Sequence, residues 1–307
     1  MHIVDTYTAG EPQGEKRWTY LNMREIRAKL LGKGFKVGKK IIKRLLEKHK
    51  MGKRKIAKSQ TMKTVANRHE QFEKIESLQK QYLAKGYVVL SMDVKKKEYL
   101  GNFFRTGSTY GQAAQTSYDH DYNSFATGRL VPHGIYDLQR KEGHLNLGVS
   151  ADTAEFAIDC IEYWWLHHGQ RHYSKENPIL ILCDGGGSNG SRNRLFKEGL
   201  QKLVNKLGIT IRIAHYPPYC SKYNPIEHRF FPFITRFWQG VKLDCLQTAK
   251  QLIEQRSQMI DTVKISVATI EYQYQKGKQV AKGFLGDCNI VFDEFLGKWN
   301  YVVKAQT

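Results

Sequence analysis

ILILCDGGGSNG, residues 179–190, is a strand that runs into a turn. Its first five residues are apolar without a break, the pattern of a short central strand buried on both faces. Asp184 is the first residue past it. Sites of open α/β sheets gather at strand carboxyl ends, so this aspartate stands where chemistry is expected. The glycines behind it let the backbone approach a substrate or a metal closely. They are no Walker motif, because no G-x-x-x-x-G-K-[ST] follows.

Working outward, Phe196, Leu200, Leu203, Val204 and Leu207 mark a helix that Gly208 ends. Ile209, Ile211 and Ile213 alternate with polar residues in a further strand. Asn224 then caps a helix with Pro225 at its first position. On the upstream side, Asp152 with Glu155 three residues on predicts a helix start, and Ala157, Ile161, Trp164 and Trp165 form its apolar face. Residues 87–94 alternate as a strand that places Asp93 opposite Leu90 and Met92. Residues 99–105 suit the second arm of a hairpin, and 144–149 a third strand, with a long segment rich in Gly, Tyr and Asp between them. The order β-β-β-α-β-α-β-α is that of the RNase H-like fold, an α/β architecture with a mixed sheet flanked by helices.

The 307 residues carry a net charge of +20, which points first to a polyanionic partner such as nucleic acid. The charge is concentrated at the front, where residues 16–58 hold 17 Lys or Arg against only Glu25 and Glu47. Residues 23–31 and 37–49 read as two amphipathic helices around Gly32 and Gly34, a helix-turn-helix outline. Lys39, Lys40, Lys43, Arg44 and Lys48 cover the second helix and are the candidate DNA contacts. A plain basic hairpin would show the same pattern. Residues 1–60 are therefore read as a basic helical DNA-binding segment, 61–85 as a linker helix, 86–261 as the catalytic domain and 262–307 as a C-terminal extension. Residues 50–63 within this reading are polar and basic, as a linker is. Five cysteines, none in a C-x-x-C pair, exclude a zinc ribbon or disulfide framework. No membrane-spanning run or signal pattern is expected, so the location predicted is the cytoplasm, on the nucleoid.

Three carboxylates are positioned for metal chemistry. Asp93 and Asp184 end strands that are neighbours in this fold, and Glu227 sits in the first turn of the helix after the fifth strand. Clustered carboxylates repel one another without cations, and hard divalent ions choose oxygen ligands. Two magnesium or manganese ions there would serve phosphodiester cleavage. Each residue alone has a plainer reading. Asp184 could form a turn, and Glu227 could face a helix dipole. It is their joint placement that favours catalysis. Arg192, Arg194 and Lys222 are candidate phosphate contacts, and His228 is placed to support Glu227. Asp119, His120 and Asp121 form a competing cluster, read as polar loop chemistry.

The motifs DGGGSNG at 184–190, NPIEHR at 224–229 and WNY at 299–301 resemble those of a bacterial insertion-sequence transposase family, the Rhodopirellula-type transposase DDE domain, distantly mariner-like. Pro217 and Pro218, SMDVKKKE at 91–98, GIYD at 134–137 and DTAEFA at 152–157 extend the likeness over nearly the whole chain. The resemblance implies catalytic roles for Asp93, Asp184 and Glu227 and dependence on magnesium. It further implies binding of double-stranded transposon ends, joining to target DNA, and a homo-oligomer on that DNA. Two departures stand out. The family is expected to carry more helical sequence ahead of this front, as if the frame were shortened or split. Pro232 is also expected to kink the Glu227 helix. An RNase H-like nuclease without strand transfer, and a catalytically idle DNA-binding remnant, are the alternative readings.

Overall fold

The computed structural model describes residues 2–10, 17–54, 64–281 and 283–306. Residues 55–63, most of the expected linker, lie outside them. The chain forms two compact units, Met1–Met62 and Lys63–Thr307.

The first unit holds α1 (His2–Asp5), the paired strands β1 (Thr8–Gly10) and β2 (Arg17–Thr19), α2 (Met23–Gly32) and α3 (Lys39–Lys48). Asn22 starts α2 with a capping box, accepting from the Arg24 and Glu25 amides while Glu25 returns a bond to its own. Gly34, at a φ of +86°, makes the turn that follows. Val4, Ile26 and Ile42 form a small core. Lys39, Lys40, Lys43, Arg44 and Lys48 are all exposed on α3.

The second unit begins with α4 (Arg68–Ala84) and carries strands β3 (Val89–Val94), β4 (Glu98–Leu100), β5 (Gly128–Asp137) and β6 (Glu142–Gly148). Then come α5 (Ala154–His167), β7 (Ile179–Cys183), α6 (Arg194–Leu207) and β8 (Ile211–His215). Three helices follow: α7 (Pro225–Arg229), α8 (Phe231–Trp238) and α9 (Leu246–Ser257). Strands β9 (Lys264–Ile270), β10 (Ile290–Phe292) and β11 (Asn300–Val303) complete the unit. The sheet runs β10-β11-β8-β7-β3-β5-β6-β9, with β4 paired to β5. β3, β7 and β8 are mutually parallel, and β5 runs antiparallel to both of its neighbours, β3 and β6. This is the mixed, helix-flanked RNase H-like sheet.

Alternation along the strands builds three layers. Leu90, Met92, Ile181 and Cys183 face α5 and α6 in one core. Val89, Leu180, Leu182 and Ala214 face α4, α7, α8 and α9 in the other. The uninterrupted apolar run of β7 is thus covered on both sides, as its sequence requires.

Four local expectations are corrected. The second strand of the meander is β5, at 128–137, and not 99–105. Only 98–100 of that earlier region is a strand, and it pairs with β5 rather than β3. Thr153, not Asp152, caps α5, its hydroxyl accepting from the Phe156 amide at 3.2 Å. Asp152 instead pairs with Lys97 at 2.9 Å. The helix bearing Glu227 stops at Arg229, and Pro232 lies in the first turn of α8, where a missing N–H costs nothing. Last, the residues set apart as an extension are part of the sheet, since β9 pairs with β6 and β11 with β8.

Candidate active site

Met92 and Cys183 are register partners on β3 and β7, so the residues that follow them, Asp93 near the end of β3 and Asp184 just past β7, stand side by side. Both line a cleft of about 580 Å³ with Lys95–Lys97, Asp152 and the glycine loop. Asp93 accepts from the Val94 amide at 2.7 Å. Burial raises its carboxyl to about 8, helped by the charges of Asp184 and Glu227. Burial also raises Asp184 to about 6, with Glu227 adding to the shift and the Asn224 amide opposing it. No salt bridge reaches Asp93, Asp184 or Glu227 among the described residues, since the nearby lysines are turned elsewhere. Lys95 pairs with Glu98 at 3.2 Å, and Lys97 holds Asp152.

Two carboxyls whose ionised forms are this costly are what a divalent cation would answer. The fit is good for the aspartate pair. Glu227 is half-buried in the first turn of α7 and is felt electrostatically by both aspartates. Among the described residues, however, no three His, Cys, Asp or Glu side chains stand close enough to hold one ion together.

Asn224 does more than cap a helix. It stands at the cap position of α7, yet its side chain makes no capping bond. Fully buried, it accepts from the Ser91 hydroxyl, and its amide donates to the Met92 carbonyl at 3.2 Å and to Asp184 at 3.4 Å. Ser91 in turn accepts from the Ile226 amide at 2.9 Å. One asparagine therefore ties β3, Asp184 and the Glu227 helix together. Its position just before Pro225 was the available signal.

The remaining candidates separate. Arg192, Arg194 and Lys222 are exposed beyond the cleft-lining residues. His228 directs its ring to the Lys222 carbonyl rather than to Glu227, so it fastens the turn 221–223 to α7. Asp119 and His120 form an exposed pair at 3.3 Å, and Asp121 accepts from the Phe104 amide. The WNY residues reach the site from behind. Tyr301 sets its hydroxyl 3.3 Å from the His215 ring, and that ring lies 3.0 Å from the Asp184 carbonyl.

Residues 1–305 match the family described as the Rhodopirellula transposase DDE domain. The chain belongs to that family. As a DDE transposase domain it is a polynucleotidyl-transferase-type protein, and among the described residues no helix is long and apolar enough to cross a membrane. No curated protein matches the chain. Among solved structures, it is similar to the Mos1 transposase paired-end complex with left transposon end, at 14% identity and a TM-score of 0.46, over 82% of this chain and 76% of that one. A pre-cleavage Mos1 transpososome gives 13% identity and a TM-score of 0.47 over 82% and 76%. The Mos1 mariner paired-end complex with Mn gives 14% and 0.46 over the same shares.

Proposed function

We propose that this DDE transposase domain cleaves phosphodiester bonds at the ends of a mobile DNA element and joins the freed 3′ ends to target DNA. The observation that carries the reading is the adjacent pair Asp93 and Asp184, desolvated and uncompensated by any salt bridge among the described residues, in a cleft of a strongly basic family member. These two aspartates would hold magnesium or manganese, with Glu227 as the third carboxylate. A pair of such ions, once bound, would activate the attacking oxygen and stabilise the leaving one. Asn224 orients Asp184 and fixes the start of the Glu227 helix. The exposed basic face of α3 supports binding of duplex DNA through its phosphates. Joining two ends requires two sites in one assembly, so the working form proposed is a homo-oligomer on DNA, acting at the nucleoid.

The test pairs binding with chemistry. Calorimetric titration with Mn2+ should show binding that Asp184→Asn largely removes, and a plasmid bearing the element's ends should be cut and joined by the native chain alone. Equal Mn2+ binding by both proteins would overturn the carboxylate site. Cutting without any joined product would leave a nuclease.

A further inference from the structure

The loop behind Asp184 carries more hydrogen-bond donors than it uses. The backbone N–H groups of Gly185, Gly186, Gly187, Ser188 and Asn189 find no acceptor among the described residues. Two side chains of the same loop repeat the pattern. Asn189 is 2% exposed with its Nδ2 unpaired, and Ser188 is 9% exposed with its hydroxyl unpaired. Both residues line the cleft that Asp93 and Asp184 line. Gly186 and Gly187 are exposed, but the Ser188 and Asn189 donors are buried, and buried donors left without partners are costly unless a ligand satisfies them.

The loop is held in place from behind. Asn193 donates to the Ser188 carbonyl at 2.6 Å, Ser191 to the Gly185 carbonyl at 3.3 Å, and Lys197 to the Ser191 carbonyl. Gly187 has a φ of +80°, and a Cβ on Gly185 would sit 2.9 Å from the Tyr216 carbonyl oxygen. Glycine is therefore required for this path. Successive amides in such a turn form an anion-binding concavity. Lys96 lines the same cleft, is exposed, and forms no salt bridge among the described residues.

We propose that residues 185–189 cradle one phosphodiester group of the DNA backbone beside the aspartate pair, with Asn189 Nδ2 and the Ser188 hydroxyl as its side-chain donors. The inference rests on the reading of this cleft as the transposase site, and it names where that site grips its substrate. The anion needs a donor-rich wall there because the opposite feature, two carboxylates, repels it.

The test uses the full chain with EDTA present, so that no catalytic ion contributes. A duplex oligonucleotide is added while amide resonances of residues 185–189 are followed, and affinity is read by fluorescence anisotropy. The amides should shift on adding duplex. Asn189→Asp, nearly isosteric but acceptor-only, should weaken binding about tenfold, and Asn189→Ala by less. A purely structural asparagine would give the reverse order, because the isostere would be tolerated and the truncation would not. That reverse order, unchanged affinity in both variants, or amide shifts with inorganic phosphate but none with duplex would each overturn the cradle. The metal titration of Asp184→Asn reports separately on the catalytic reading, so the two can fail independently.

Discussion

Asp93 concentrates the energetic conflict of the site in one side chain. It is half-buried beside two other carboxylates, and loss of solvent first and their charges second hold its carboxyl near 8. Replacing it with Asn removes the cost of desolvating and protonating this carboxyl at almost constant shape. Asp93→Asn should therefore raise the melting temperature of the metal-free protein, by about 2–4 °C for each kcal/mol relieved in a unit of this size. The same change should abolish the further stabilisation that Mn2+ gives the native chain. A thermal scan with and without Mn2+ checks both. A melting temperature that falls in the metal-free variant would show that the carboxylate is structurally paired after all. Single residues of this kind were legible in the sequence, because an aspartate ending an alternating strand and another ending a buried one can meet only if the strands are neighbours. Asn224 was half legible. Its position announced a helix start, but nothing local reveals that a side chain will turn away from its own helix to bond Ser91 and Met92 on a strand more than a hundred residues earlier.

Between elements, the decisive contact is that of β5 with the helices carrying Glu227. A Cβ on Gly134 would lie 2.5 Å from the Phe231 ring and 2.8 Å from Ile226 Cδ1. Gly134 is also the register partner of Asp93. Gly134→Ala should cost about 1–3 kcal/mol by overpacking and should push α7 away from the sheet. Denaturant unfolding would measure the first effect. A loss of DNA cleavage larger than the loss of folded protein would measure the second. An unchanged midpoint would mean that Phe231 yields freely. The glycine and Pro132 that make this strand functional also hid it. GRLVPHGIYD breaks the signature of a central strand, and a Pro is tolerated at 132 because the ladder with β3 has ended at His133. Helix boundaries were hidden for a similar reason. A proline in the middle of an apolar helical pattern reads as a kink, whereas here it opens a second helix.

For the molecule as a whole, acid should be a specific stress. His133 and His144 are buried neutral, their rings held down to about 4 and about 3 by loss of solvent. His144 lies 2.8 Å from the Ser266 hydroxyl and 3.2 Å from Asn146 Oδ1, and His133 packs edge-on to Phe156 with both nitrogens unpaired. The unfolded chain takes up these protons near 6.5, so it binds more of them than the native state below that pH. The contribution of the two rings is thus complete above about 6.5 and is lost as pH falls toward 4 and 3, by about 3 kcal/mol for His133 at the low end. Their ring resonances in the folded protein should remain those of neutral imidazole below pH 5. Protonation near 6.5 in the native state would contradict the burial argument. At this scale the sequence was least informative. Residues 262–307 read only as an extension, because no local signal says that β9 will lie beside β6 or β11 beside β8.

That late pairing has a consequence for how the protein is made. Both outermost strands of the sheet, β9 and β10, come from the last fifth of the polypeptide. Until the ribosome has released those residues, β6 and β8 stand at the margins of an unfinished sheet with rows of unanswered amides and carbonyls. Such margins invite pairing with other nascent chains. Messages that end early, ahead of residue 264, would therefore yield clumping fragments rather than harmless shorter proteins. Proteostasis machinery, not DNA, would be the first to meet them.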